Sequence, residues 1–181
     1  IDGFYTRVKG QDTGMVVAVD LGNGQPVAVA QLDEYNLEAI LKWLRPLVEE
    51  LGVEVIVSDD LEVYDQAAKA LDRPHQVCRF HFLRWVMRAL RELQDLLAEE
   101  WHDTLDEIRR LVRTMPPQAK HWLYLLSKRI ELPKGKRSPS ADAVYRLWLL
   151  AHRLSENWER YTLFLKADQI PGTNNRTEQA I

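Results

Sequence analysis

The chain has one cysteine, Cys78, no apolar run long enough to cross a bilayer, and no strong excess of either charge. A lone cysteine excludes an intramolecular disulfide. No basic, apolar leader with a small-residue cleavage site opens the sequence, so the expected compartment is the reducing cytoplasm. An initiating Met is also missing. The first residue is Ile1, and the chain is expected to be a piece cut from something longer. What is present is ordinary globular composition: 181 residues with 46% hydrophobic content, enough for a full core and one insertion or subdomain.

The net charge of -3 conceals an uneven distribution. Residues 1–78 carry 6 Lys and Arg against 14 Asp and Glu, residues 79–137 carry 13 against 8, and residues 138–181 carry 5 against 5. Carboxylates crowd the first part and cations the middle. An acidic part suits a metal site and a basic part suits phosphates, although solvated helix faces account for the middle excess about as well.

Phe4 to Val8 and Met15 to Leu21 are β-branched and aromatic runs split by an expected turn at Gly10 to Gly14. Gly22-Asn23-Gly24 supplies a tight hairpin that returns the chain through Val27 to Leu32. Asn36 reads as an N-cap. Leu37, Ile40, Leu41, Leu44, Leu47, Val48 and Leu51 then recur at helical spacing until Gly52. Val53 to Val57 is a short, continuously apolar strand of the kind buried on both faces. A helix follows through Tyr64 to Leu71, and His75 to Phe80 is the fifth strand, reached by a second crossover. Three antiparallel strands plus two parallel ones make an α/β fold with a ribonuclease-H-like mixed five-stranded sheet.

From His81 to about Leu165 the pattern is helical. Leu83, Val86, Met87, Leu90, Leu93 and Leu97 mark one stripe. Leu105, Ile108, Leu111 and Val112 mark a second, and Trp122, Leu125, Leu126 and Ile130 a third. Leu132 to Ser140 interrupts them with two prolines, a glycine and three cations, which reads as an exposed loop. A final helix is expected over about Ala141 to Leu165. Trp85, Trp101, Trp122, Trp148 and Trp158 lie in this region and are expected to pack its core rather than wedge between bases. The expected organisation is a core over 1–81, an all-helical insertion over 82–165, and a return to the core over 166–181.

Three carboxylates far apart in sequence sit where a folded sheet would collect them. Asp2 lies on a strand rich in Phe, Tyr and Val, where ionisation is costly unless it meets a cation or water. Asp59 follows a buried strand at its carboxyl end, where open α/β sheets place ligands. Glu178 falls in the first turn of a helix opened by Thr173-Asn174-Asn175. Hard oxygen ligands gathered from separate elements are what two-metal phosphoryl chemistry needs. Each has a plainer reading: a frayed terminus for Asp2, helix capping for Asp59 or Asp60, and a helix-dipole partner for Glu178. Asp20, beside the Gly22 turn, competes with Asp2 as first aspartate and also reads as a turn residue. Asp60 reads as the cap of the helix that follows.

Ile1-Asp2-Gly3, Val57-Ser58-Asp59, Cys78-Arg79-Phe80-His81 and Gly172-Thr173-Asn174-Asn175-Arg176-Thr177-Glu178 together resemble the DDE transposases of bacterial insertion sequences, specifically those related to the Mutator-like group. The resemblance spans essentially the whole chain. It implies a ribonuclease-H-like catalytic domain with an all-helical insertion, and Asp2, Asp59 and Glu178 as both catalytic triad and ligands of Mg²⁺ or Mn²⁺, two ions in all. It implies cleavage at the ends of a mobile element followed by strand transfer into target DNA, with double-stranded DNA as partner and a homo-oligomer in the full-length protein.

The Cys78 and His81 spacing supplies only two zinc ligands, and no second pair exists, so structural zinc is not expected. His81 is expected beside the site and Cys78 in the packing. Asn174 and Asn175 suit hydrogen bonds to phosphate or to the carboxylates, or N-capping. Arg176, Lys134, Lys136 and Arg137 suit phosphate contact without base readout. Two alternatives use the same residues: a ribonuclease-H-like nuclease without strand transfer, and a non-catalytic, transposase-derived DNA-binding or assembly module.

Overall fold

The computed structural model describes residues 1–8, 11–132, 134 and 139–175. Its elements form two compact units, Ile1–Phe82 with Arg160–Ile181, and Leu83–Glu159.

The first unit opens with β1 (Asp2–Val8), β2 (Gln11–Asp20) and β3 (Gln25–Gln31), an antiparallel sheet in that order. β1 and β2 stay in register from Asp2↔Val17 to Val8↔Gln11. Gln11 to Gly14 is therefore strand, not the expected turn. The second hairpin closes as its residues demand: Gly24, at φ 78°, donates to Asp20 O at 2.7 Å, while Gly22 N–H caps Asp20 Oδ1 at 2.8 Å. Asp20 is accordingly an exposed turn residue. β2 is the central strand, and Val16, Val17 and Ala18 are buried along it.

α1 (Leu37–Leu51) starts where Asn36 accepts a hydrogen bond from Ala39 N–H and ends at Gly52, whose left-handed backbone (φ 63°) lets its N–H reach Val48 O. Its buried face, Ile40, Leu44 and Val48, packs in one core with Val16, Ile56, Val63, Tyr64 and Leu71. β4 (Ile56–Ser58) and β5 (His75–Val77) form a separate two-stranded parallel sheet across α2 (Glu62–Ala70). All six of their residues are buried. No ladder joins β4 to β1 among the described residues, so the five strands stand as three plus two.

The fifth strand ends earlier than its apolar run suggests. Cys78 N–H donates to Ser58 O, and Cys78 O then accepts from Phe82 N–H, so α3 (Arg79–Leu96) begins within Cys78-Arg79-Phe80-His81. His81 is a helix residue, not a strand-end one.

The second unit contains the rest of α3, then α4 (His102–Thr114), α5 (Ala119–Arg129) and α6 (Pro139–Glu156). Val86, Leu90, Leu93, Leu105, Ile108 and Leu111 are buried, as the first two stripes require, and Leu147 and Leu154 are buried in α6. The third stripe is misplaced, because α5 buries Ala119, Leu123 and Ser127 while Trp122 is exposed and Leu125 and Leu126 are half-buried. The tryptophans meet the expected packing unevenly, with Trp85, Trp101 and Trp148 half-buried. Only Trp158 is buried, whereas Trp122 is 50% exposed and Trp85 lies under the Arg153 guanidinium at 4.5 Å. The last helix is also shorter than expected. It stops at Glu156, Asn157 turns the chain with its Nδ2 on Arg153 O at 3.0 Å, and α7 (Trp158–Thr162) leads into a 3-10 turn, Leu163–Leu165.

Candidate active site

The site forms in the first unit at the end of β4. Ser58 is fully buried, and its Oγ lies 3.0 Å from Asp59 O and 2.8 Å from His75 Nε2. The strand end is thus tied to β5 before the chain reaches the Asp59 side chain. Asp59 Oδ2 meets His81 Nδ1 at 3.1 Å, both side chains being about a quarter exposed (28% and 27%). The first turn of α3 brings this imidazole to the carboxylate.

Asp2 occupies the first position of β1, where Oδ1 accepts the Gly3 N–H at 2.9 Å. Burial, then the charge of Asp59, pushes the Asp2 carboxyl above its usual range, partly offset by the Gly3 hydrogen bond and by His81. The two aspartates are therefore within electrostatic reach of each other although 57 positions apart.

The Gly172-Thr173-Asn174 segment returns to the same place because Gly172 O accepts the Arg79 N–H at 2.8 Å. Asn174 is fully buried, with Nδ2 at 3.4 Å from Asp59 Oδ1 and 3.5 Å from Ile1 O. Its Oδ1 has no hydrogen-bond partner among the described residues. Asn175 is exposed. Cys78 is buried beneath the site. Glu178, Arg176, Lys136 and Arg137 lie outside the described residues. Lys134 is exposed in the second unit.

Glu34 is a residue that sequence reasoning missed. Only 9% exposed, it accepts the Tyr64 hydroxyl on Oε2 at 3.2 Å. A Cβ built on Gly3 would stand 2.0 Å from that same Oε2, so only glycine lets the carboxylate approach β1 this closely. Burial raises the Glu34 carboxyl, the Tyr64 hydrogen bond counters, and the charges of Asp2, Asp59 and Asp33 push it further up. In sequence Glu34 looks like one more acid ahead of a helix cap. Its available signal was Gly3, a strand glycine next to a candidate ligand.

Behind Asp59 lies a second polar layer. Arg160 reaches Asp60 Oδ1 through Nη2 at 3.1 Å and Asp65 Oδ1 through Nε at 3.0 Å. Tyr161 OH donates to Asp60 Oδ2 at 3.1 Å. Asp60 therefore anchors α7 and does not cap α2, whose N-cap Leu61 makes no side-chain hydrogen bond. His75 Nδ1 stands 3.6 Å from Asp65 Oδ1. Burial, then Arg160, drives the imidazole down to about 4 against the pull of Asp65, so it is neutral at physiological pH. Burial works against Asp65 ionisation, but Lys69, Arg160 and His75 together hold its carboxyl below the usual range.

A cavity of about 510 Å³ in this unit is lined by Val19, Leu44, Val48 and Val53 among others, and by none of Asp2, Glu34, Asp59 or His81. It plays no part in the site. The donors fit a hard divalent cation in kind: two carboxylates near each other and one buried amide oxygen without a described partner. Among the described residues, no group of three or more His, Cys, Asp and Glu side chains is arranged to hold a metal ion.

The α/β unit thus gathers acidic residues at a strand end and is interrupted in sequence by a helical unit. A family model described as Transposase IS66 family matches residues 38–181, and the chain belongs to that family of bacterial insertion-sequence transposases. The match includes Asp59, His81 and Glu178 and begins after Asp2 and Glu34. No curated protein and no solved structure matches the chain. Among the described residues, no helix is long and apolar enough to cross a membrane.

Proposed function

We propose that the chain is the catalytic domain of a transposase that cleaves DNA at the ends of a mobile element and joins the freed 3′ end to target DNA. The observation that carries this reading is the 3.1 Å Asp59–His81 contact, with Asn174 Nδ2 reaching both Asp59 Oδ1 and the Ile1 carbonyl next to Asp2, within a chain of a transposase family. Asp2 and Asp59 would hold Mg²⁺ or Mn²⁺, and Glu178 would complete the set. Two such ions, when bound, supply a hydroxyl activated for in-line attack and charge to stabilise the leaving oxygen.

The chain's own groups have separable tasks. His81 fixes the rotamer of Asp59 through the 3.1 Å contact, as a partner to a metal ligand does. The Asn174 amide nitrogen holds Asp59 from far along the chain and leaves its carbonyl oxygen to accept from a donor such as water. The buried Ser58–His75 contact keeps the strand end from moving when charge accumulates in front of it. Arg176, Lys134, Lys136 and Arg137 contribute phosphate affinity, with double-stranded DNA as partner and a homo-oligomer as the working state.

The backbone supports a ribonuclease-H-like reading of the sheet. Ile1 N, one residue ahead of β1, donates to Val57 O of β4 at 2.6 Å, a single contact in favour of that reading and not a ladder among the described residues. The Cys78 and His81 spacing supports the link to the Mutator-like group.

The test is a joining reaction. The chain is incubated with Mn²⁺, supercoiled plasmid and a labelled duplex ending in a free 3′-hydroxyl. Label joined to plasmid is expected, and its loss in Asp59→Asn. Metal-dependent nicking without joined label reassigns the domain as a hydrolase. No metal-dependent product of either kind rejects the catalytic reading.

A further inference from the structure

Glu34 and Tyr64 have no place in the chemistry assigned above, yet they sit against it. Tyr64 is only 1% exposed, and its hydroxyl is committed to Glu34 Oε2 at 3.2 Å. Glu34 comes from the turn before α1, Tyr64 from α2, and Gly3 from β1. The carboxylate is pressed onto the Gly3 backbone, one residue from Asp2, and a methyl group on Gly3 would stand 2.0 Å from it. Three elements thus converge on a carboxylate that a plain core would exclude. Fold stability alone does not call for it: an ionised group in this position is desolvated and faces two other carboxylates, which costs the fold free energy.

We propose that Glu34 is a further positioning residue of the divalent-cation site, clamped by Tyr64, that supplies a third negative charge behind Asp2 and Asp59 and holds the Asp2–Gly3 backbone in place for metal binding. The inference rests on the metal-dependent reading of Asp2 and Asp59 and adds a residue to it. Glu34 is not placed as a direct ligand, since no three such side chains among the described residues are arranged around one ion. Its effect is on local potential, which scales with charge count at short range.

A charge placed for cation binding and a charge placed for folding respond oppositely to neutralisation. Glu34→Gln keeps the volume and an acceptor for Tyr64 while removing the charge. The experiment measures Mn²⁺ affinity by calorimetry and the metal-free melting temperature for the parent, Glu34→Gln, Tyr64→Phe and Asp59→Asn. In Glu34→Gln, Mn²⁺ binding is expected to weaken about tenfold, the size seen for partners of metal ligands, while the metal-free melting temperature stays level or rises. Tyr64→Phe, which frees the carboxylate without removing it, is expected to weaken Mn²⁺ binding less than Glu34→Gln does.

Unchanged Mn²⁺ affinity in Glu34→Gln, with Asp59→Asn losing it, overturns the proposal and leaves the metal reading standing. If Glu34→Gln melts lower and binds Mn²⁺ as the parent does, Glu34 is only the structural acceptor of Tyr64. A parent that binds no Mn²⁺ overturns the metal reading and this inference with it.

Discussion

The two units bury polar groups in very different ways. In the first, Glu34, Ser58, Asp65, His75, Gln76, Thr162 and Asn174 are buried, three of them titratable. In the second, among the described residues, only Ser127 and Ser155 are, each with its hydroxyl on a carbonyl three residues earlier in its own helix, Tyr124 O and His152 O. The second unit keeps its charges outside, in pairs such as Arg110–Glu107 and Arg109–Asp106. The balance of charge follows: 14 cations against 11 carboxylates in Leu83–Glu159, and 10 against 16 in the remainder. The helical unit is built as a stable fold requires, whereas the α/β unit buries titratable groups, of which Asp65 is paired with Lys69 and Arg160, His75 is neutral, and Glu34 has only the Tyr64 hydroxyl among the described residues. That contrast locates function without any bound group in view.

The sharpest way to break the comparison is to exchange the consequences of a core change and a site change. Asp59→Asn is expected to lower Mn²⁺ affinity and strand cleavage by more than the roughly 10–100-fold that partners of metal ligands cost, and to leave the metal-free melting temperature level or higher. Calorimetry and the joining reaction read the first effect, a thermal melt the second. Leu90→Ala, in the fully buried stripe of α3, is expected to destabilise by about 2–5 kcal/mol while any protein still folded binds Mn²⁺ as the parent does. If both variants lose stability and metal together, the two units are not doing separate jobs.

Arg160→Ala probes the layer behind the site. It removes a cation shared by the Asp60 and Asp65 carboxylates, which are 16% and 11% exposed and keep the Tyr161 hydroxyl and Lys69 as partners, and is expected to cost about 3 kcal/mol by chemical denaturation, the lower end for breaking a buried pair. A cost near zero would mean that water reaches this layer and that it does not brace Asp59.

Acid supplies a gentler test. His75 titrates at about 4 in the fold and at 6.5 when unperturbed, so the unfolded chain binds its proton first. The stability held by the neutral imidazole is complete above pH 6.5 and is lost as pH falls through 6.5 toward 4. The loss is about 2 kcal/mol by about pH 4.5. Asp65, held low, acts in the same direction below its usual range, whereas Asp2 and Glu34, held high, act oppositely and stabilise the metal-free fold as they protonate. Melts of the parent and His75→Gln across this range isolate the imidazole: the parent's slope with pH is expected to be steeper. The smallest effect is expected in the second unit. Glu92 bridges Arg88 and Arg146 at the surface, all three side chains being exposed, and Glu92→Gln is expected to leave the unfolding transition where it is.

Local chemistry made some of this legible. Asn36 and Gly52 bracket α1 because a side-chain oxygen and a missing Cβ are what helix ends need, and Gly22-Asn23-Gly24 closes a hairpin for a similar reason. The first two helical stripes appear as cores because period 3.6 survives any tertiary context that buries one face. Asp59 and His81 stood out by position, though not their contact. The parts that were hidden depend on partners distant in sequence. Nothing near Cys78 says that its carbonyl will start a helix, so the fifth strand was drawn too long. Nothing around Asp60 points to Arg160 and Tyr161, a hundred residues away, and so it read as a cap. Glu34 was invisible because its burial is decided by Gly3 and Tyr64, and His75 because Asp65 and Ser58 meet it only once β4, α2 and β5 have assembled.

The most direct measurement is a calorimetric titration of Mn²⁺ into the parent chain and Asp59→Asn, with Leu90→Ala as the control that perturbs only the helical unit. Saturable binding to the parent and to folded Leu90→Ala, abolished in Asp59→Asn, is the expected result. Equal binding by the parent and Asp59→Asn would contradict the account, because the acids at the end of β4 would then be gathered for some purpose other than holding metal.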